Sequence, residues 1–259
     1  MRVLRVPAAL ALLCAGGTGH ALTPRDVGQR VGFDQHLGRQ LPLAVTLRDE
    51  QGAPVQLARL FGARPAVLVF IYYQCGQLCP LTMQSLVDSL RAAPAQAGRD
   101  FDVIVVSFDP RDDARAAAAQ RTRYLARYGR GGDAGWHFLT GAAAQSATLA
   151  RATGFRYAWD AQDNMFVHPS GILIATPEGR ISRYFMGLDF PARQLDQAVR
   201  AAAAQRIGSL TGTVWLLCCR YDELVGRYGT LVAWLVRLGA MAVLVALALL
   251  VLRLLRTTR

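Results

Sequence analysis

Lysine is absent from the 259 residues, and all 29 basic side chains are arginine. With the abundant alanine, this marks a GC-rich bacterial genome. It is a compositional bias and carries no mechanism. Cysteine is scarce too. Five in a chain of this length are too few to build a disulfide scaffold. Internal repeats are missing. The net charge of +11 is not gathered into one basic block. Scattered arginines, several of them flanking apolar end segments, argue against nucleic-acid binding. A basic domain lying near anionic lipid fits that charge better.

What is present is apolar. A hydrophobic fraction of 53% allows one globular domain with a good core, plus extra segments. The ends read as those segments. Residues 1–21 carry Arg2 and Arg5, an apolar stretch from Val6 to Leu13, and Gly19-His20-Ala21. This is the pattern of a secretory signal peptide cleaved after Ala21. Cys14 follows a bulky Leu13, where a lipoprotein would have a small residue, so it is expected to leave with the signal. Residues 231–252 are almost wholly apolar and long enough to span a bilayer. Arg237 lies near one end, where it can snorkel. Arg253, Arg256 and Arg259 follow in the tail 253–259, which the positive-inside rule places in the cytoplasm. The expected arrangement is a periplasmic domain at 22–208, a juxtamembrane linker at 209–230 and a single C-terminal transmembrane helix in the bacterial inner membrane.

Within the domain, "LAVTLRDEQGAPVQLARL" alternates on two arms around Glu50-Gln51-Gly52 and predicts a hairpin. The apolar run Ala66 to Tyr73 predicts a strand buried on both faces. Leu81, Leu86 and Leu90 keep helical spacing over 81–92. Pro80 places the start of that helix, with Cys79 as its cap. Residues 101–108 predict the next buried strand. Asp112 or Asp113 then caps a helix running to about Tyr128. A short strand at Trp136 to Leu139 and a helix at 144–153 read as an insertion decorating the core. "SGILIATPEGRISRYF" predicts a hairpin turning at Pro-Glu-Gly, and 191–204 a last helix. This order implies an α/β fold: a mixed sheet with helices on both faces. Cysteines between the first core strand and its helix mark it as thioredoxin-like.

Four cysteines remain after cleavage: Cys75, Cys79, Cys218 and Cys219. The first two stand in "YYQCGQLCP", with three residues between them where thioredoxin-type enzymes have two. The positive end of the following helix is expected to lower their pKa and favour thiolate. A thiolate serves as nucleophile or as metal ligand. The wider loop can close a disulfide, or turn both sulfurs toward one soft ion, Cu(I) with Zn(II) as competitor. A plain disulfide staple is the bland alternative. Of the histidines, His36 reads as a surface residue and His137, inside "WHFL", as a core residue. His168 precedes the late hairpin, whose start a thioredoxin-like sheet brings close to the cysteine loop. A neutral imidazole there completes a site of two sulfurs and one nitrogen. Met83 and Met186 read as core packing. Adjacent Cys218 and Cys219 read as small apolar side chains of a membrane-surface segment, with a second thiol site as the sharper alternative.

"YYQCGQLCP", "VVSFDPRDD", "GWHFLTG" and "VHPSGILIATPEGRISRYF" occur in this order and cover most of residues 43–204. In this the chain resembles the Sco/SenC family, thioredoxin-like copper chaperones of cytochrome c oxidase assembly. The resemblance implies copper ligands at Cys75, Cys79 and His168, and delivery to the dinuclear copper site of cytochrome c oxidase subunit II. Departures are Val167 where many members have Asp, Gly76 where many have Pro, Pro169 after the histidine, and an anchor at the C-terminus rather than the N-terminus. The resemblance calls for no turnover chemistry. A membrane-tethered thiol-disulfide oxidoreductase is the alternative and would need Cys75 and Cys79 but not His168. A peroxidase would need an activating set around a cysteine, of which the sequence offers only Thr82.

Overall fold

The computed structural model describes residues 28–75, 78–208, 238–241 and 243. The chain opens with the short strand β1 (Gly32–Phe33), then β2 (Thr46–Arg48) and β3 (Pro54–Gln56), a 3-10 turn at Leu57–Leu60, and β4 (Ala66–Ile71). Helix α1 (Leu78–Ala92) leads to β5 (Asp102–Ser107), and α2 (Ala114–Tyr128) to β6 (Trp136–Leu139). After α3 (Ala143–Ala152) come β7 (Phe155–Arg156), β8 (Ala158–Asp160) and β9 (Met165–Val167). The pair β10 (Gly171–Ala175) and β11 (Ile181–Met186) and helix α4 (Ala192–Ala203) complete the fold.

The main sheet runs β11-β10-β4-β5-β6. Strands β4, β5 and β6 are parallel, while β10 lies antiparallel to both β4 and β11. This is the mixed thioredoxin-like sheet expected. Every residue of β4, β5 and β10 is buried, which is why these segments read as unbroken apolar runs. Helix α1 packs between α2 and α4, and its Met83, Leu86, Val87 and Leu90 are fully enclosed. Helix α3 packs instead with β7 and β2, away from that layer. Burying a side chain of this size contributes about 1.5–3 kcal/mol each.

The first hairpin forms where expected, β2 against β3. The Asp49 carboxylate accepts from the N–H groups of Gln51 and Ala53, and Gly52 takes the left-handed conformation that the turn needs. The late hairpin turns at Pro177-Glu178-Gly179, with Gly179 again left-handed.

Two expectations change. Strand β6 is no decoration: it pairs with β5 and forms one edge of the main sheet. The stretch 155–167, unassigned from sequence, holds β7 paired with β1 and a small hairpin of β8 and β9. Their short length and irregular turns hid the alternation of Phe155, Tyr157 and Trp159.

Among the described residues no helix is long and apolar enough to cross a membrane. The apolar run 231–252 lies almost wholly outside those residues. The leader 1–21, the linker 209–230 with Cys218 and Cys219, and the tail 253–259 lie outside them altogether.

Of the two candidate caps for α2, Asp113 performs the task, accepting from the Ala116 N–H at 2.8 Å. Gly129 closes the helix in the left-handed conformation. Asp113→Ala is expected to destabilise the fold by about 1 kcal/mol in urea unfolding, with metal stoichiometry unchanged.

Candidate metal centre

The site lies where β4 ends and β10 is about to begin. After Ile71 the chain runs through Tyr72, Tyr73 and Gln74 to Cys75, whose N–H donates to the Tyr72 carbonyl at 3.3 Å. Helix α1 then starts at Leu78, so Cys79 sits inside the first turn and is not its cap. Pro80 also belongs to that turn, where a missing N–H leaves no hydrogen bond unmade. From the other side β9 delivers His168, because β10 pairs with β4 and its start faces the end of that strand.

One ligand atom each from Cys75, Cys79 and His168 lie within 4.8 Å of one another. Neither cysteine is in a disulfide; Cys75 is half-buried and Cys79 only 2% exposed. His168 is buried, and its ring meets Tyr72, Phe108 and Phe155 at centroid distances of 5.9, 5.3 and 6.1 Å. The imidazole Nδ1 lies 3.0 Å from the Pro169 carbonyl oxygen, and Nε2 lies 3.1 Å from Cys79 Sγ. A carbonyl can only accept, so Nδ1 carries the proton. In the neutral ring Nε2 then bears the lone pair, turned toward the sulfur. Val167 pairs with Ala158 in the β8–β9 ladder and gives the ring no side-chain hydrogen bond. The support that an acidic neighbour could give comes instead from the backbone of Pro169.

The expected lowering of the Cys79 pKa is overturned. Burial pushes this thiol well above its usual range, and a hydrogen bond with Cys75 adds to the effect. A helix terminus offers only partial charge. Removing a thiolate from water costs more, and the side chain of Cys79 belongs to the core. Burial, with a hydrogen bond to Cys75, also raises the Tyr72 phenol.

The strand end that carries the cysteine loop is gripped through its backbone. Asp112 Oδ2 accepts from the Tyr73 N–H and from the Ser107 hydroxyl, both at 2.6 Å. The Gln120 amide donates to the Tyr73 carbonyl at 2.7 Å, and the Tyr73 hydroxyl donates to the Leu139 carbonyl at 2.8 Å. Asp112 thus serves the site rather than the helix end. Beside it, the Arg111 guanidinium binds buried Asp109 and stacks 4.7 Å from the Trp159 ring centroid. This ties the β8–β9 hairpin, and hence the approach to His168, to the end of β5. Sequence reasoning missed these supports. In "SFDPRDD" the sequence suggests a helix cap and a family motif but not these supports, although an acid directly before an expected cap is a signal for a second role.

The remaining assignments fall away from the site. His137 on β6 is half-buried, and burial lowers its pKa. His36 is not a bare surface residue: it is half-buried, Nδ1 lies 3.1 Å from the Ala152 carbonyl, and its N–H donates to the Tyr184 hydroxyl. Met83 is core, and Met186 packs against it. Thr82 is buried, and its hydroxyl donates to that of Ser170.

Two outcomes follow from the protonation states. Because Cys79 stays a thiol at neutral pH, titration of the metal-free chain with a thiophilic ion should release at least one proton per ion bound, and two where Cys75 also enters as a thiol. Calorimetry in buffers of different ionisation enthalpy reads this total, and no release would mean that both sulfurs are preformed thiolates. Burial also raises the Asp112 pKa. The unfolded chain loses this proton first, so stability falls as pH rises from about 4 through the shifted value and is level beyond it. Asp112→Asn removes that slope, and urea unfolding of both proteins across pH should show the two curves diverging upward from about pH 4.

A family model described as SCO1/SenC matches residues 38–204. Among solved structures, a protein of Aquifex aeolicus VF5 assigned provisionally to electron transfer is 30% identical with a TM-score of 0.57. The match covers 65% of this chain and 95% of that one. Arabidopsis thaliana ScoI, solved with copper bound, is 19% identical with a TM-score of 0.51, over 62% of this chain and 96% of its own. BsSco, a Sco-family cytochrome c oxidase assembly protein with a disulfide switch, is 20% identical with a TM-score of 0.53, over 67% and 99%. The latter two likenesses concern the fold. No curated protein matches the chain.

Proposed function

The chain belongs to the SCO1/SenC family, and we propose that it is a copper-binding factor in cytochrome c oxidase assembly. In this reading Cys75, Cys79 and His168 hold Cu(I) as cargo and pass it to, or prepare, the dinuclear copper site of subunit II. The observation that carries it is the convergence of two cysteine sulfurs and an imidazole nitrogen within 4.8 Å. The donor set suits a soft ion: two sulfurs and a neutral nitrogen leave one negative charge to spare on binding Cu(I). The Pro169 carbonyl holds the ring in the ligating tautomer, and the aromatic wall of Tyr72, Phe108 and Phe155 excludes water around it. Cys75, the more open thiol, is where an acceptor would meet the cargo. We place this domain in the bacterial periplasm, held to the inner membrane by residues 231–252. It carries out no turnover chemistry of its own.

A second reading rests on the two neighbouring cysteines, neither of them in a disulfide. Cys75 and Cys79 can reduce a partner disulfide, giving up two electrons and two protons as their own S–S bond forms. This requires no imidazole.

One comparison separates the two. An anaerobic Cu(I) competition titration of the chain and its His168→Ala variant should show one copper per chain and an affinity loss of more than about tenfold in the variant. X-ray absorption should report two sulfurs and one nitrogen. Unchanged affinity, together with unchanged reduction of a model disulfide, would remove His168 from the site and leave the thiol reading.

A further inference from the structure

The two ends of the sheet differ in charge. At the end holding the metal centre, exposed Asp113, Asp163 and Asp189 are partly offset by exposed Arg115 and Arg193, and buried Asp109 is paired with Arg111. The opposite end is strongly basic. Arg39, Arg59, Arg180 and Arg206 are all exposed there, and among the described residues none of them makes a salt bridge.

Backbone contacts draw these four together. The Ile181 N–H donates to the Arg39 carbonyl at 3.0 Å, and Arg180 Nε donates to the Gly38 carbonyl at 3.1 Å. Ser182 Oγ donates to the Arg206 carbonyl at 2.7 Å. The Gly62 N–H donates to the Pro177 carbonyl at 2.7 Å, bringing the turn that carries Arg59 beside the β10–β11 turn. Glu178 at the tip of that turn is the exposed acid among them. Arg64 and Arg99, also at this end, are neutralised by Asp102 and Asp100.

The last described residues of the domain lie at the same end. The Gly208 N–H donates to the Ser182 carbonyl at 2.8 Å. Residues 209–230 then lead to the apolar run at 231–252.

We propose that this basic end is a docking surface for anionic phospholipid headgroups. It seats the domain on the bilayer and holds the cysteine loop at the far end. The proposal rests on the membrane-anchored reading of the chain. Charge complementarity, and the apolar run 231–252 that follows in sequence the last residues of this end, favour lipid over an acidic protein. The six residues of β4 separate the two ends by about 20 Å, so a seated domain presents its metal site to the aqueous side. The concentration of unpaired arginine at one end turns the domain the same way.

The test uses the full chain with vesicles of phosphatidylcholine alone or with phosphatidylglycerol, and amide hydrogen exchange as the readout. Residues 36–41, 177–183 and 204–208 should exchange more slowly only when phosphatidylglycerol is present. The slowing should vanish in 0.5 M salt and in the variant Arg39→Gln/Arg59→Gln/Arg180→Gln/Arg206→Gln, while Cu(I) stoichiometry stays unchanged. Equal exchange in both lipids, or slowing at residues 70–75 instead, overturns the proposal. Protection by polyglutamate but not by phosphatidylglycerol would assign the face to an acidic protein and overturn it too. Alkaline carbonate extraction in parallel reports the anchor separately. If carbonate strips the chain from the vesicles, the anchored reading fails. Rebinding of the stripped chain then decides the proposal: salt-sensitive binding to phosphatidylglycerol, about fivefold weaker per arginine removed, supports it, and no binding overturns it.

Discussion

The hydrogen bond from His168 Nδ1–H to the Pro169 carbonyl decides what the buried cluster can do. An imidazole among three aromatic rings could offer either nitrogen to the sulfurs. Pinning the proton on Nδ1 leaves Nε2 as a base facing Cys79 and makes the cluster a donor set. The acceptor is a backbone oxygen one residue away, so the arrangement is set by the chain path into β10 and survives without an acidic neighbour at position 167. The cysteine side is held in a similar manner. Asp112 and Gln120 take the N–H and the carbonyl of Tyr73 at the strand end, two residues before Cys75. Side chains fix the frame, and backbone fixes the ligand.

Most of the frame was legible in the sequence because it obeys simple periodicities. The segments 66–71 and 102–107 are continuous apolar runs, and such runs become central strands when a parallel sheet is covered on both faces. Turns with Gly52 and Gly179 were legible for the same kind of reason. What escaped was the stretch 155–167, whose strands are two and three residues long and pair outside the main sheet. No window of that size carries a clear period. The place of β6 also escaped, because the sequence does not say which side of a strand a short neighbour joins.

The cluster itself was legible in part. Cysteine spacing and the position of His168 before a hairpin brought out its three members. The electrostatic environment of Cys79 was not legible. A helix start suggests an acidic thiol, but the direction in which a first-turn side chain points depends on packing, and here it points into the core. The supports from Arg111, Asp109 and Asp112 were hidden because one short acidic segment performs three tasks: a helix cap, an ion pair stacked on Trp159, and a backbone clamp.

The unequal exposure of the two thiols has a kinetic meaning. Cys79 and His168 are walled in, whereas Cys75 meets solvent. In the proposed copper-carrying role, an incoming group would meet the outer sulfur first and the inner pair last. Exchange through such a one-sided opening would proceed by addition of the newcomer before departure of the old bond. Its rate then rises with the concentration of the acceptor, and a tight hold at rest is compatible with quick transfer on encounter.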